Sequence, residues 1–272
     1  RAFREGALPR MTAALPLQAA GSSPAALARA ASNLARGAAR GTDLAGEFES
    51  LAEAAAGVES TAKFDRLLEI VGAGTEKVLV FTRFRATIEH LERRLAERGI
   101  GRAVFHGSLP PAAKEQAIED FARDVPVLLS TEAGGEGRNL QFCRSIVNFD
   151  LPWNPMRIEQ RIGRIHRIGQ EREVHVFNLA LAGSIEEEIL RVLDEKLNLF
   201  ELVIGETGMI LGQLPHRQDF EDLALEMWYA AANASARREA FDRLGEELSA
   251  ARADYQAMKD LDRDLFHDDY GA

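Results

Sequence analysis

Cysteine is almost missing from this chain. Cys143 stands alone among 272 residues, so no intramolecular disulfide can staple the fold, and the single thiol reads as buried and inert. Histidine is nearly as sparse: the six residues show no metal-ligand spacing to one another or to Cys143, so no metal site is expected. No apolar run approaches the roughly 20 residues needed to span a bilayer, and the Arg/Ala-rich start has no continuous apolar centre of the kind a signal segment carries. Neither membrane insertion nor export is expected. An initiator methionine is lacking too: the chain opens on Arg1, which reads as a fragment of something longer.

Hydrophobic residues make up 46% of the chain, enough to bury one sizeable core, with any second domain small. The net charge of -10 argues at first against nucleic acid, because phosphate contacts need Lys and Arg. Its distribution weakens that objection. Residues 205–272 hold 15 Asp and Glu against 7 Lys and Arg, so most of the excess acidity sits in the tail. Between Arg157 and Arg172 five arginines face only Glu159 and Glu171, and a local basic surface survives.

The first 59 residues are rich in Ala and Gly and read as helices and linker with no core of their own. Ser23 before Pro24 fits an N-cap followed by proline at the first helical position. From Lys63 the pattern becomes an α/β alternation. Strands are expected at Lys77–Phe81, Arg102–Phe105, Val125–Leu129, Ser145–Phe149 and Val174–Leu179. Between the first two, Ile88, Leu91 and Leu95 form a helical stripe that Gly99 ends. A second helix is expected from Pro111 to Phe121. Ser184 and Glu187 read as a capping box before a helix with Ile185, Ile189, Leu193 and Leu197 on one side. Right-handed crossovers turn this order into a parallel sheet covered by helices on both faces. Residues 206–272 read as a helical appendage, in which Phe220, Leu223 and Met227, and later Phe241, Leu244 and Leu248, form packing stripes rather than a cofactor site.

The segment from Glu159 to Gln170 holds the densest chemistry. Ile158, Ile162 and Ile165 recur at i, i+4 and i+7 and can bury together, while Gln160, Arg164 and Arg167 share another face. Asn154 suits the N-cap and Pro155 the first turn, so the helix is expected to start there and carry the arginines to its C-terminal end. A solvated arginine face that complements the helix dipole, by about 0.3 to 1 kcal/mol, accounts for the same pattern. Three loops follow strand ends: Thr82-Arg83-Phe84, His106-Gly107-Ser108, and the glycine-dense Ser130–Leu140. On one rim of an open sheet, their amides, hydroxyls and arginine could grip successive phosphates. The first two are also compatible with ordinary turns.

The run Glu159 to Gln170, ending His166-Arg167-Ile168-Gly169-Gln170, resembles the last helicase motif of SWI/SNF-type superfamily 2 ATPases. Val78–Phe84, Phe105–Ser108, Ser130–Leu140 and Asn148–Pro155 look like earlier motifs of the same C-terminal RecA-like lobe, in the family's order. The likeness covers roughly residues 60–204 and, more faintly, a lead-in from about residue 10. Its wording leans to the bacterial branch that includes the RNA-polymerase-associated ATPase.

The resemblance implies a RecA-like lobe at 60–204, a helical lead-in at 1–59 from a missing first lobe, and an appendage at 205–272. It implies that Arg164 and Arg167 are arginine fingers for the γ-phosphate of ATP, since a guanidinium fork suits charge spread over phosphoryl oxygens. It further implies that Gly135, Glu136, Gly137 and Asn139 lie near the nucleotide, with Gln160 linking motifs. Thr82, Arg83, Gly107, Ser108 and Thr131 would lie along a DNA phosphate backbone. Trp153 would border the duplex groove, although a hydrophobic plug explains that residue equally well. The chain departs from many family members at Arg83, His106 and Arg138, which alters local charge.

A triphosphatase also needs a phosphate-cradling loop ending Gly-Lys-Ser/Thr and acidic residues for Mg²⁺. Neither is in this sequence, and Gly72–Lys77 leads into a strand instead of following one. ATP and Mg²⁺ are therefore expected to be held mainly by the missing lobe, and this chain alone to be inactive. Double-stranded DNA is the expected partner, with RNA polymerase or another DNA-bound protein as a further candidate. The expected location is the cytoplasm, at the nucleoid if the bacterial branch holds. A non-catalytic nucleic-acid or polymerase-binding module and an RNA-directed helicase are the alternatives.

Overall fold

The apolar runs form five short strands: β1 (Val78–Phe81), β2 (Arg102–Phe105), β3 (Val127–Ser130), β4 (Ser145–Asn148) and β5 (His175–Asn178). The computed structural model describes residues 10–38, 43–74, 76–132, 140–166, 173–196, 206–214 and 219–266. The strands make one all-parallel sheet in the order β2-β3-β1-β4-β5. Phe81 pairs with both Ser130 and Asn148, Phe105 pairs with Ser130, and Asn148 with Asn178. All five strands thus end at one level, so Thr82, His106 and Thr131 begin their loops on one edge of the sheet. β3 starts two residues later than expected because Pro126 has no N–H to give to a ladder.

Alternation within β1 explains the two layers. Val78 and Val80, with Val127, Leu129 and Val147, pack against Phe64, Leu67, Ile88, Leu91 and Leu95, which belong to α4 (Ala62–Gly72) and α5 (Arg85–Glu97). Leu79 and Phe81, with Leu128 and Ile146, pack on the other face against Ala117 and Phe121 of α6 (Pro111–Arg123) and against Ile165. Full burial of each such large side chain contributes about 1.5–3 kcal/mol. Gly99 ends α5 as expected, at φ +69. Its N–H donates to Ala96 O, and Ile100 N donates to Leu95 O, the paired bonds of a Schellman stop.

Cys143 lies in this second layer, fully buried, with its thiol 3.2 Å from Lys77 O. Burial pushes its pKa up to about 11, and only the thiolate is nucleophilic. Iodoacetamide at pH 8 should therefore leave the native chain unlabelled and modify it once denatured. Stoichiometric native labelling would contradict the burial.

The N-terminal region departs from the expectation of helices without a core. α1 (Arg10–Ser22) and α2 (Pro24–Gly37) bury Ala19, Ala26 and Ala30 in a cluster with Ala86 of α5. Small side chains let the backbones approach closely, and no periodicity of large apolar residues announces such a contact. α3 (Asp43–Ala56) follows.

The chain divides into two compact units, Arg1–Pro152 with Arg161–Ser184, and Trp153–Gln160 with Ile185–Ala272. Within the second, α8 (Ile185–Glu195), α10 (Phe220–Ala230) and α11 (Ala234–Phe266) bury most of the stripes read from the sequence: Ile185, Ile189 and Leu193, then Phe220 and Leu223 with Met227 only half-buried, then Phe241, Leu244 and Leu248. Leu197 lies outside the described residues. Arg191 ties α8 to α11, reaching Glu188 on its own helix and Asp242 at 2.6 Å. α9 (Glu206–Leu211) meets α11 through the Lys259–Glu206 pair at 2.5 Å.

Candidate functional site

α7 (Pro155–Ile162) starts where the sequence places it, with Asn154 Oδ1 accepting from Met156 N at 3.0 Å. It stops earlier than expected. Gly163 follows Ile162, and Arg164 N and Ile165 N donate to Arg161 O and Ile162 O, both at 3.1 Å. These are i to i-3 bonds of a tight turn. Arg164 accordingly stands in a turn beyond the helix and not on the helical face with Gln160. Its side chain is half-buried and makes no ion pair among the described residues. Gln160 is exposed in the last turn of α7. Arg167, Gly135, Glu136, Gly137 and Asn139 lie outside the described residues.

The arginine that the sequence reading passed over is Arg161, whose side chain is 3% exposed. Its Nη1 donates to Asn148 Oδ1 and to Asp150 O, each at 2.9 Å, and its Nη2 donates to Glu132 Oε1 at 2.9 Å. Asp150 Oδ1 lies 3.6 Å from Nη2, and the guanidinium carbon sits 5.4 Å from the Phe81 ring centroid. The planar fork thus joins the ends of β1, β3 and β4, a task for which a single ammonium has the wrong geometry. A signal was available. Ile158, Arg161, Ile162 and Ile165 fall at i, i+3, i+4 and i+7, so an arginine occupies the apolar face.

Asp150 forms a second hub beside it. Its Oδ2 accepts from Ser22 Oγ at 2.6 Å and Thr82 Oγ1 at 2.5 Å, and its Oδ1 accepts from Arg83 N at 2.9 Å. Lys63 supports the same corner by donating to Phe149 O at 3.0 Å and Gly21 O at 2.5 Å. A buried carboxylate needs this many donors to offset its desolvation.

Two candidate DNA contacts are corrected. Thr82 is fully buried, because its hydroxyl is committed to Asp150, and so it offers nothing to a DNA backbone. Trp153 is 1% exposed, which makes it the hydrophobic plug and not the border of a groove. The other rim residues are accessible. Arg83, Gly107 and Ser108 are exposed, and Thr131 is half-buried with its N–H on Phe105 O at 3.1 Å. Arg85 Nη1 donates to Ser108 Oγ at 3.3 Å, and Lys114 Nζ donates to Gly107 O at 2.9 Å. His106 Nδ1 lies 2.9 Å from Ser108 Oγ, and partial burial, aided by the Arg85 charge, holds the imidazole pKa below its usual value. The rim therefore presents neutral donors together with the Arg83 and Arg85 guanidiniums and the Lys114 ammonium, Arg85 also pairing with Glu89 at 3.2 Å.

The helicase conserved C-terminal domain family matches residues 62–169. That segment is a helicase C-terminal domain. It holds β1 to β4, the rim loops and the Arg161–Arg164 turn. The domain is homologous to the ATP-dependent helicase YqhH of Bacillus subtilis (strain 168), at 42% identity over 192 residues, 71% of this chain and 34% of that protein. The RNA polymerase-associated protein RapA of Vibrio vulnificus (strain YJ016) is 42% identical over 130 residues, 46% of this chain and 13% of RapA. The chain thus spans about a third of YqhH and far less of RapA. Among solved structures, the C-terminal part of the Fun30 ATPase domain is 27% identical with a TM-score of 0.45, covering 62% of this chain and 53% of that one.

Among the described residues of the helicase domain and its flanks, no group of three or more His, Cys, Asp or Glu side chains could hold a metal. No described helix is long and apolar enough to cross a membrane.

Proposed function

We propose that this chain is the C-terminal lobe of an ATP-dependent double-stranded DNA translocase, one that remodels protein–DNA complexes and supplies arginine fingers and part of the DNA track. The observation that carries this reading is the Arg161 anchor. It ties the turn bearing Arg164 to the rim where Arg83, Ser108 and Thr131 sit, so that a nucleotide bound at that edge and a DNA backbone along the rim would act on one rigid body. Arg164, with no ion pair among the described residues, is free to meet a γ-phosphate held by a first lobe, and Arg167 follows three residues on.

In this reading, ATP draws two lobes together, and Arg164 and Arg167 stabilise the charge on the transferred phosphoryl oxygens. Hydrolysis releases the cleft, and the rim advances along the duplex. Arg83 and Arg85 supply backbone charge, while Gly107 and Ser108 supply close approach and a hydroxyl. Gly135, Glu136, Gly137, Asn139 and Gln160 would line the nucleotide side. RNA polymerase as the remodelled partner rests on the name of RapA, and a cytoplasmic, nucleoid-associated setting on the same relationship.

The reading is tested in the two-lobed protein. Duplex DNA should stimulate ATP turnover more than RNA of equal length, and Arg83→Ala should weaken duplex binding while reducing the slope of log affinity against log salt by about 1. Stimulation by RNA alone would make the protein an RNA-directed helicase. Binding without turnover would make it a non-catalytic module.

A further inference from the structure

The hydrogen bonds at the α1–α2 junction have a fixed direction. Ser22 has one O–H, and it donates to Asp150 Oδ2. The 2.7 Å contact between Ser22 Oγ and Thr87 Oγ1 must then be donated by Thr87, and the 2.7 Å contact between Thr87 Oγ1 and Ser23 Oγ by Ser23. Ser23 Oγ in turn accepts from Ala26 N at 3.1 Å as the N-cap of α2. Three hydroxyls therefore run head to tail from the first turn of α2 to a buried carboxylate. All are at most 3% exposed, so no water competes, and each bond polarises the next.

Beyond Asp150 the connection continues without a gap. Asp150 faces Arg161, whose fork also holds Asn148 and Glu132. The Arg161 carbonyl accepts from Arg164 N. Thr82 and Arg83 N meet the same carboxylate, so the rim loop after β1 is fixed by the same group.

We propose that Ser22 is a positioning residue: the hydroxyl chain it completes sets Asp150 and Arg161, and thereby the turn on which Arg164 stands, so that the seating of the lead-in helices is read out at the finger. This deepens the proposed function and rests on it for its meaning in catalysis, although the mechanical link does not. Sequence alone offered no sign of it, since Gly21-Ser22-Ser23-Pro24 reads as a plain helix cap.

Hydrogen exchange on this chain tests the link without any ATPase. Ser22→Ala should speed exchange of the Arg164, Ile165 and His166 amides by about fivefold, the factor expected for one lost buried hydrogen bond, while Leu79 and Leu128 in the central strands keep their protection. Thr87→Val, which keeps shape and breaks the middle link, should do the same. Thr61→Ala removes the hydroxyl that caps α4 at Phe64 N and should leave the three amides unchanged. Unchanged exchange at 164–166 in both chain variants, or equal acceleration by Thr61→Ala, overturns the proposal.

In the two-lobed protein, Ser22→Ala should lower DNA-stimulated kcat about fivefold with the KM for ATP unchanged, because a finger acts on the transition state. A two-lobed protein without any turnover would remove the proposed function and leave the exchange result to decide the positioning role.

Discussion

Replacing Arg167 or Arg164 with alanine in the two-lobed protein should reduce DNA-stimulated ATP hydrolysis by about 10³-fold or more, the scale on which arginine fingers act. Lysine at either position should rescue little, because one mobile ammonium does not match the planar fork. The melting temperature of Arg164→Ala should fall by no more than a few °C from the parent, since no ion pair among the described residues is lost and the side chain is only half-buried. DNA affinity should also hold. Retention of full stimulated turnover in both variants would strip the two arginines of their role. The same assay on this chain alone should show only background turnover, as it lacks Gly-Lys-Ser/Thr.

Arg161→Met is expected to behave in the opposite way, destabilising the fold in this chain without any need for nucleotide. The substitution leaves Asp150, Glu132 and Asn148 facing a thioether, and removing one partner of a buried charged pair costs about 3–5 kcal/mol. For a unit of this size that corresponds to a fall in melting temperature on the order of 10 °C. Arg161→Lys should recover part of the loss, because an ammonium can neutralise Asp150 or reach Glu132 but cannot span the three strand ends. An unchanged melting curve for Arg161→Met would show that the fork contributes nothing net. The contrast between Arg161 and Arg164, three residues apart, separates holding the fold from serving the nucleotide.

That contrast also marks how far the sequence could be read. The sheet was legible because Val78–Phe81, Val127–Ser130 and Ser145–Asn148 are continuous apolar runs between helices with clean stripes, and parallel strands buried on both faces read that way. The stop of α5 at Gly99 was equally visible. The end of α7 was not: helical spacing carries on past Gly163, and only the tight turn closed by Arg164 N reveals that the helix has ended.

Within the site, residue type suggested function where partners decided it. Thr82 and Trp153 look like surface chemistry at a strand end, yet Thr82 is taken by Asp150 and Trp153 is enclosed. Arg161 went unread although it falls on the apolar side of the helix, among Ile158, Ile162 and Ile165. Ser22 and Lys63 had no local signal, because their partners lie 42 to 128 residues away in sequence, and Asp150 joins Ser22 and Thr82 across 128 and 68 residues although Arg161 stands only 11 away. Burial of small Ala side chains in α1 and α2 was likewise invisible to a reading based on large hydrophobes.

The odd–even sorting of β1 limits how this lobe can change length over evolution. Val78 and Val80 serve one helical layer and Leu79 and Phe81 the other, so a single inserted or deleted residue would exchange the layers and turn the hydroxyl of Thr82 away from its carboxylate. Insertions that diversify relatives are therefore expected to accumulate between strands, while the four residues of β1 keep their number.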